Sequence, residues 1–176
     1  MKFGACILVF VFIVATSGWG QQAHYRKDGP ALLNDLSVTP GDVATTDAHI
    51  VCQRGYASKV RKVSEKTKKQ DYKLYGAEEK KGVCCEVDHL ISLELGGSNS
   101  IENLWPQPYL PRPGAHEKDE IEGYLHRQVC SGKIPLQEAQ KEIAADWYKV
   151  FIQSGIHPSS QHEAAKKRTH ASVSFQ

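Results

Sequence analysis

Four side chains able to do acid–base or metal chemistry fall within one stretch, CCEVDHLISLELGGSNSIENLWPQPYLPRPGAH, from Cys84 to His116. Asp88 and His89 are adjacent, Asn103 follows after thirteen intervening residues, and His116 after twelve more. An imidazole titrates near neutrality and can take a proton from water. A carboxylate is a hard oxygen ligand for Mg²⁺ or a similar ion. Together they suit hydrolysis of a phosphodiester. That reaction needs an activated water and a cation to neutralise the scissile phosphate and the departing oxygen. The second nitrogen of an imidazole base must also be held, and a backbone carbonyl near Asn103 is placed to do this. The Asn103 side chain is itself placed to brace the loop.

The elements that carry these residues follow from local pattern. Glu86, Asp88 and Leu90 sit two apart, so on an extended chain they share one face and His89 points to the other. Leu-Glu-Leu-Gly-Gly-Ser-Asn reads as a strand ending in a turn, with Gly96 and Gly97 supplying positive φ. Pro106 and Pro108 lack backbone donors, so Trp105-Pro-Gln-Pro is an edge or an exit, with Trp105 a core anchor beneath the site. From Ala115 to Ser131, Ile121, Tyr124, Leu125 and Val129 recur at helical spacing, and Gly132 stops the helix. His116 falls in its first turn, where a ligand can meet Asp88; His126 reads as structural or solvent-facing. A second helix opens at Pro135 and runs to about Ser154, with Leu136, Ala139, Ile143, Trp147, Val150 and Phe151 as its apolar stripe. The fold class is α+β: a short β-hairpin with helices packed around it.

The stretch resembles the HNH, or ββα-metal, nuclease family. The Asp88–His89 pair and the downstream Asn103 carry the likeness. The run EVDHLISLELGGSNSIENLWPQP is similar to a subgroup of small exported bacterial proteins of this type, and the similarity continues through KDEIEGYLHRQVCSGKIPLQEAQKEIAADW. It covers Ile50 to Phe151. The resemblance implies His89 as general base, Asp88 as metal ligand and Asn103 as the residue that positions them. His116 falls where the family places a helix-borne ligand, with Asp119 and Glu120 close enough to compete. The resemblance also implies a Cys52–Cys130 disulfide and a ββα-metal core.

Met1–Gly20 reads as a signal peptide: Lys2, an apolar run from Cys6 to Ala15, then small residues before Gln21. Export to the periplasm or medium is expected, with no stable membrane association after cleavage. Gln21–Asp47 reads as an extended arm, 48–155 as the nuclease-like domain, and 156–176 as a disordered tail. Ala48–Gln53 has the look of a short strand. Ser64 caps a helix that runs to about Tyr75 and stops at Gly76, burying Val60, Val63, Tyr72 and Tyr75. The formal net charge is only +2, but it is unevenly spread. Between Gln53 and Lys81 lie ten Lys or Arg and four Asp or Glu. Arg54, Lys59, Arg61 and Lys62 open this block and suit the phosphates of a nucleic acid. Of the five cysteines, four follow the apolar leader: Cys52, Cys84, Cys85 and Cys130. The vicinal pair is not expected to bond internally. Either Cys52 and Cys130 each take one of that pair, or Cys52 bonds Cys130 and two thiols are left.

The expected activity is cleavage of DNA, or of RNA, with one divalent ion, because the motif offers too few carboxylates for two. Mg²⁺ or Mn²⁺ suits Asp and Asn-type ligands; Zn²⁺ or Ni²⁺ suits a site with two histidines. The rival expectation is a secreted protein on the same scaffold that binds nucleic acid, or another protein, without cutting.

Overall fold

The computed structural model describes residues 24–77 and 84–156. The signal segment, the 78–83 stretch and the tail from 157 onward lie outside the described residues. Two small antiparallel sheets and five helices build a mixed α+β fold. β1 (Arg26–Asp28) pairs with β2 (Ala31–Leu33). The expected arm is therefore a hairpin, and Ala31 and Leu33 are core residues. α1 (Ala48–Val51) stands where a strand was expected: the Asp47 carboxylate accepts from His49 N at 2.8 Å and starts a helical turn. α2 (Tyr56–Val60) follows, then α3 (Glu65–Leu74), capped by Ser64 as expected. Tyr72 and Tyr75 are buried; Val60 and Val63 are half-buried.

The second hairpin is the centre. β3 (Cys85–His89) runs antiparallel to β4 (Leu104–Pro108), with Asp88 opposite Trp105 and His89 opposite Leu104. Pro106 and Pro108 lie inside β4, because this sheet has only two strands and the outer edge of β4 needs no ladder. Tyr25 donates to the Pro106 carbonyl at 2.6 Å and fastens the first hairpin there. Leu93–Leu95 forms a 3₁₀ turn, not the expected strand. Leu93 and Leu95 are buried and Glu94 is exposed, an alternation that mimics strand period, but Leu95 N bonds Ser92 O at 3.0 Å and winds the chain.

α4 (Ala115–Cys130) and α5 (Leu136–Ser154) close the core over Trp105, Ile121, Leu125, Ile143 and Trp147. α5 breaks at Asp146, whose backbone is extended at φ −167°. The Asp146 carboxylate accepts from Lys149 N at 2.9 Å and restarts the helix. Cys52 and Cys130 are bonded and join the end of α1 to the end of α4. Cys84 and Cys85 are bonded to each other, against expectation. Tyr109 N donates to the Cys84 carbonyl at 3.0 Å, which holds the dipeptide at the foot of β3 with no other cysteine bonded to it. No helix among the described residues is long and apolar enough to cross a membrane.

Candidate active site at the end of the second hairpin

His89 ends β3 and is only 2% exposed. Its Nε2 lies 3.1 Å from Asn99 Oδ1. The orientation of that amide is settled by two further bonds: Lys62 N donates to Asn99 Oδ1 at 3.2 Å, and Asn99 Nδ2 donates to the Val60 carbonyl at 2.9 Å. Asn99 therefore presents an acceptor, so Nε2 carries the proton and the lone pair sits on Nδ1. Nδ1 is buried without a hydrogen-bond partner. Burial holds the imidazole below its usual range; Asp88 and Asn99 pull upward, and Arg61 and Lys118 pull down. The balance favours the neutral ring.

Asn103 is fully buried and spends its side chain on the backbone. Its Nδ2 donates to Ile91 O at 3.0 Å and Ser98 O at 2.9 Å, while Oδ1 accepts from Ile91 N at 2.9 Å. Its own carbonyl accepts from Leu90 N at 2.8 Å, not from the His89 ring. Asn103 thus ties the loop between β3 and β4 into one shape. Gly97 makes this possible. A Cβ there would collide with the Ile91 carbonyl and come within 2.8 Å of Asn103 Nδ2. Only Gly96 of the glycine pair has positive φ, at 78°. The Gly-Gly sequence serves one turn and one close approach, not two turns.

Asp88 points to the opposite face from His89. Its Oδ2 accepts from Lys118 Nζ at 2.6 Å. Lys118 is fully buried, and its ammonium also donates to the His89 carbonyl at 2.8 Å and to Glu122 Oε1. Burial works against this charge, but Asp88 and Glu122 outweigh it and hold Lys118 above its ordinary value. Further carboxylates gather here. Desolvation first, and Asp88 and Glu86 second, push Asp119 up to about 7, although its surface is largely open to solvent. Burial and Asp88 likewise raise Glu86. Behind the hairpin, Asp71 is fully buried with neither oxygen hydrogen-bonded, and burial followed by Asp88 raises it to about 8.

His116 stands in the first turn of α4, its ring 5.1 Å from that of Tyr109. Its charge acts on Glu86, which accepts from Tyr109 Oη at 3.2 Å. Arg54, Lys59, Arg61 and Lys62 are all exposed along α2 and its flanks. Arg61 is near enough to act on both His89 and Asp119. Asp88, His89 and Asn103 thus lie at the loop end of the hairpin and His116 towards its foot beside Tyr109; Asp88 is engaged by Lys118 and the nitrogen of His89 is held by Asn99. Neither partner was anticipated. Lys118 and Glu122 sit four apart on a helix, an ordinary surface spacing, and only the fold shows them turned inward.

A different set of ligating atoms converges more tightly. Among the described residues, Cys52, His126 and Cys130 bring their donor atoms within 4.8 Å of one another, a group that can hold a metal ion once the Cys52–Cys130 bond is reduced. The chain matches no known protein-family model, no curated protein and no solved structure.

Proposed function

We propose that the protein is an exported, metal-dependent endonuclease that hydrolyses phosphodiester bonds of DNA, with RNA as the alternative polymer. The observation that carries this reading is a His89 imidazole at the end of β3 within electrostatic reach of exposed Arg61 and of Asp88, which in turn repels Glu86 on the same strand and Asp119 on α4. The likeness to the ββα-metal core supports it, as does the order of hairpin then helix. The two disulfides suit an oxidising compartment outside the cytoplasm.

In this mechanism His89 accepts a proton from water, and the resulting hydroxide attacks phosphorus in line as the 3′-oxygen leaves. Arg61 and Lys62 bind the flanking phosphates. Asn99 is half-exposed; its displacement opens Nε2 to the substrate, and the ring hydrogen must then reside on Nδ1 so that Nε2 is the nitrogen that accepts the proton from water. A divalent ion would be held by Asp88 in exchange for Lys118, with Glu86, Asp119 and His116 as further donors of suitable kind, although no three of these converge as Cys52, His126 and Cys130 do among the described residues. Such an ion, Mg²⁺ or Mn²⁺ with oxygens alone and Zn²⁺ or Ni²⁺ with imidazole added, supplies stabilisation of charge on the leaving oxygen.

A second reading is a nucleic-acid-binding protein that does not cut. The 2% exposure of His89 favours it, since a buried base meets no water. Incubation with plasmid and single-stranded DNA in Mg²⁺, Mn²⁺, Zn²⁺ or EDTA separates the two. The nuclease reading expects metal-dependent cleavage that falls by roughly 10²–10⁴ in His89→Ala while binding persists. Cleavage unchanged in EDTA and in His89→Ala excludes it.

A further inference from the structure

We infer that Cys52, His126 and Cys130 form a redox-gated site for Zn²⁺, in which the ion takes over from the disulfide as the clasp between α1 and α4. The inference stands apart from the nuclease reading. His126 and Cys130 are four residues apart on α4 and share a face. His126 Nε2 is 3.3 Å from Cys130 Sγ. Cys52 closes α1 directly opposite, its Cα 5.6 Å from that of Cys130.

The geometry asks little of the helices. A tetrahedral ion with Zn–S of about 2.3 Å sets two thiolates roughly 3.8 Å apart. Bonded sulfurs lie about 2 Å apart, so the exchange needs an opening of about 2 Å. In the disulfide form His126 Nε2 lies 3.2 Å from the Val51 carbonyl and donates to it. Metal binding moves that hydrogen to Nδ1 and frees Nε2 as the ligand. Two thiolates and an imidazole make a soft three-residue set, with water in the fourth position.

The exchange balances. A dithiol reductant gives two electrons and two protons to the Cys52–Cys130 bond and becomes a disulfide itself. The two thiols formed then release two protons to solvent as Zn²⁺ binds both sulfurs. A disulfide oxidant that takes two electrons from the zinc-bound sulfurs re-forms the Cys52–Cys130 bond, becomes a dithiol with two protons from solvent, and releases Zn²⁺. In either state α1 stays fastened to α4, and the basic segment that follows α1 keeps its place beside His89.

The test uses the full chain carrying Cys6→Ser, Cys84→Ser and Cys85→Ser, which leaves one cysteine pair. Phosphine-reduced and oxidised samples are titrated with Zn²⁺ against a chromogenic chelator, and with Co²⁺ for absorption spectra. The reduced protein is expected to take up one Zn²⁺ and to give tetrahedral Co²⁺ bands with sulfur charge transfer, while the oxidised protein takes up none. The zinc-loaded form is expected to keep the near-ultraviolet circular dichroism of the disulfide form. His126→Ala, whose folding is verified in its disulfide form, is expected to weaken Zn²⁺ binding by at least about tenfold. Equal uptake when oxidised, no uptake when reduced, undiminished binding by His126→Ala, or a loaded form without the native dichroism would each overturn the proposal.

Discussion

His89 and Asp71 are both buried titratable groups, and burial drives them toward neutrality from opposite directions. Burial holds the imidazole below the ordinary histidine value of about 6.5, so the acid limb of a His89-dependent cleavage lies below about pH 6.5 and activity is level above it. An acid limb above pH 7 would assign the base elsewhere. Asp71 is raised from 3.8 to about 8. An acid raised on folding contributes stability that is present below its unfolded value and lost as pH climbs through the folded one. Stability is therefore expected to decline from about pH 4 to pH 8, by at most about 1.4 kcal/mol per pH unit from this group. Asp71→Asn keeps the shape and removes the charge. Urea denaturation across that range should show a flatter slope and a more stable protein at pH 8.

The loop from Ile91 to Asn103 behaves as an element in its own right, although it is neither helix nor strand through most of its length. Asn103 closes it with two donations and an acceptance from Ile91, and Gly97 leaves room for the amide. Asn103→Ala leaves buried backbone groups of Ile91 unpaired and is expected to cost on the order of 2–4 kcal/mol. Gly97→Ala forces apart the Ile91 carbonyl and the Asn103 amide, and a comparable loss is expected in thermal melts. A neutral result for Gly97→Ala would show that the loop shifts to admit the methyl. The extents of α4 and α5 were legible because long apolar stripes at period 3.6 are a strong signal. Leu93–Leu95 was misread because over three residues burial alternates in the same way for a turn as for a strand, and α1 because four residues are too few to show a period and its start is set by the Asp47 cap. The near-stack of His116 on Tyr109 and the inward turn of Lys118 depend on contacts across the fold, which no local pattern encodes.

For the molecule as a whole, the Cys52–Cys130 bond spans a sequence separation of 78. Loop-closure entropy assigns about 4 kcal/mol to a crosslink of that length, so Cys52→Ser with Cys130→Ser should lower the unfolding free energy by roughly that amount. A loss under about 1 kcal/mol would mean that packing alone fixes α1 on α4. The cysteine count pointed to two bridges; the bond within Cys84–Cys85 was discounted on ring strain alone, and the foot of β3 accommodates it. The basic block was legible as charge. Its position beside Asn99 was not, because that depends on α1 and α2 folding back against the Leu93–Leu95 turn.

Lys118 has a consequence for how the protein matures. A fixed ammonium sits where Asp88, Glu122 and the end of β3 converge, so the polypeptide brings its own counter-ion to that junction. Acquisition of the native state is thereby uncoupled from cation supply, unlike small metallodomains that stay unstructured until loaded. Chelator should leave the melting temperature of the disulfide form where it was. Lys118→Met, which strands two acids in the interior, should cost about 3–5 kcal/mol. A chain built this way can complete its assembly where metal ions are scarce.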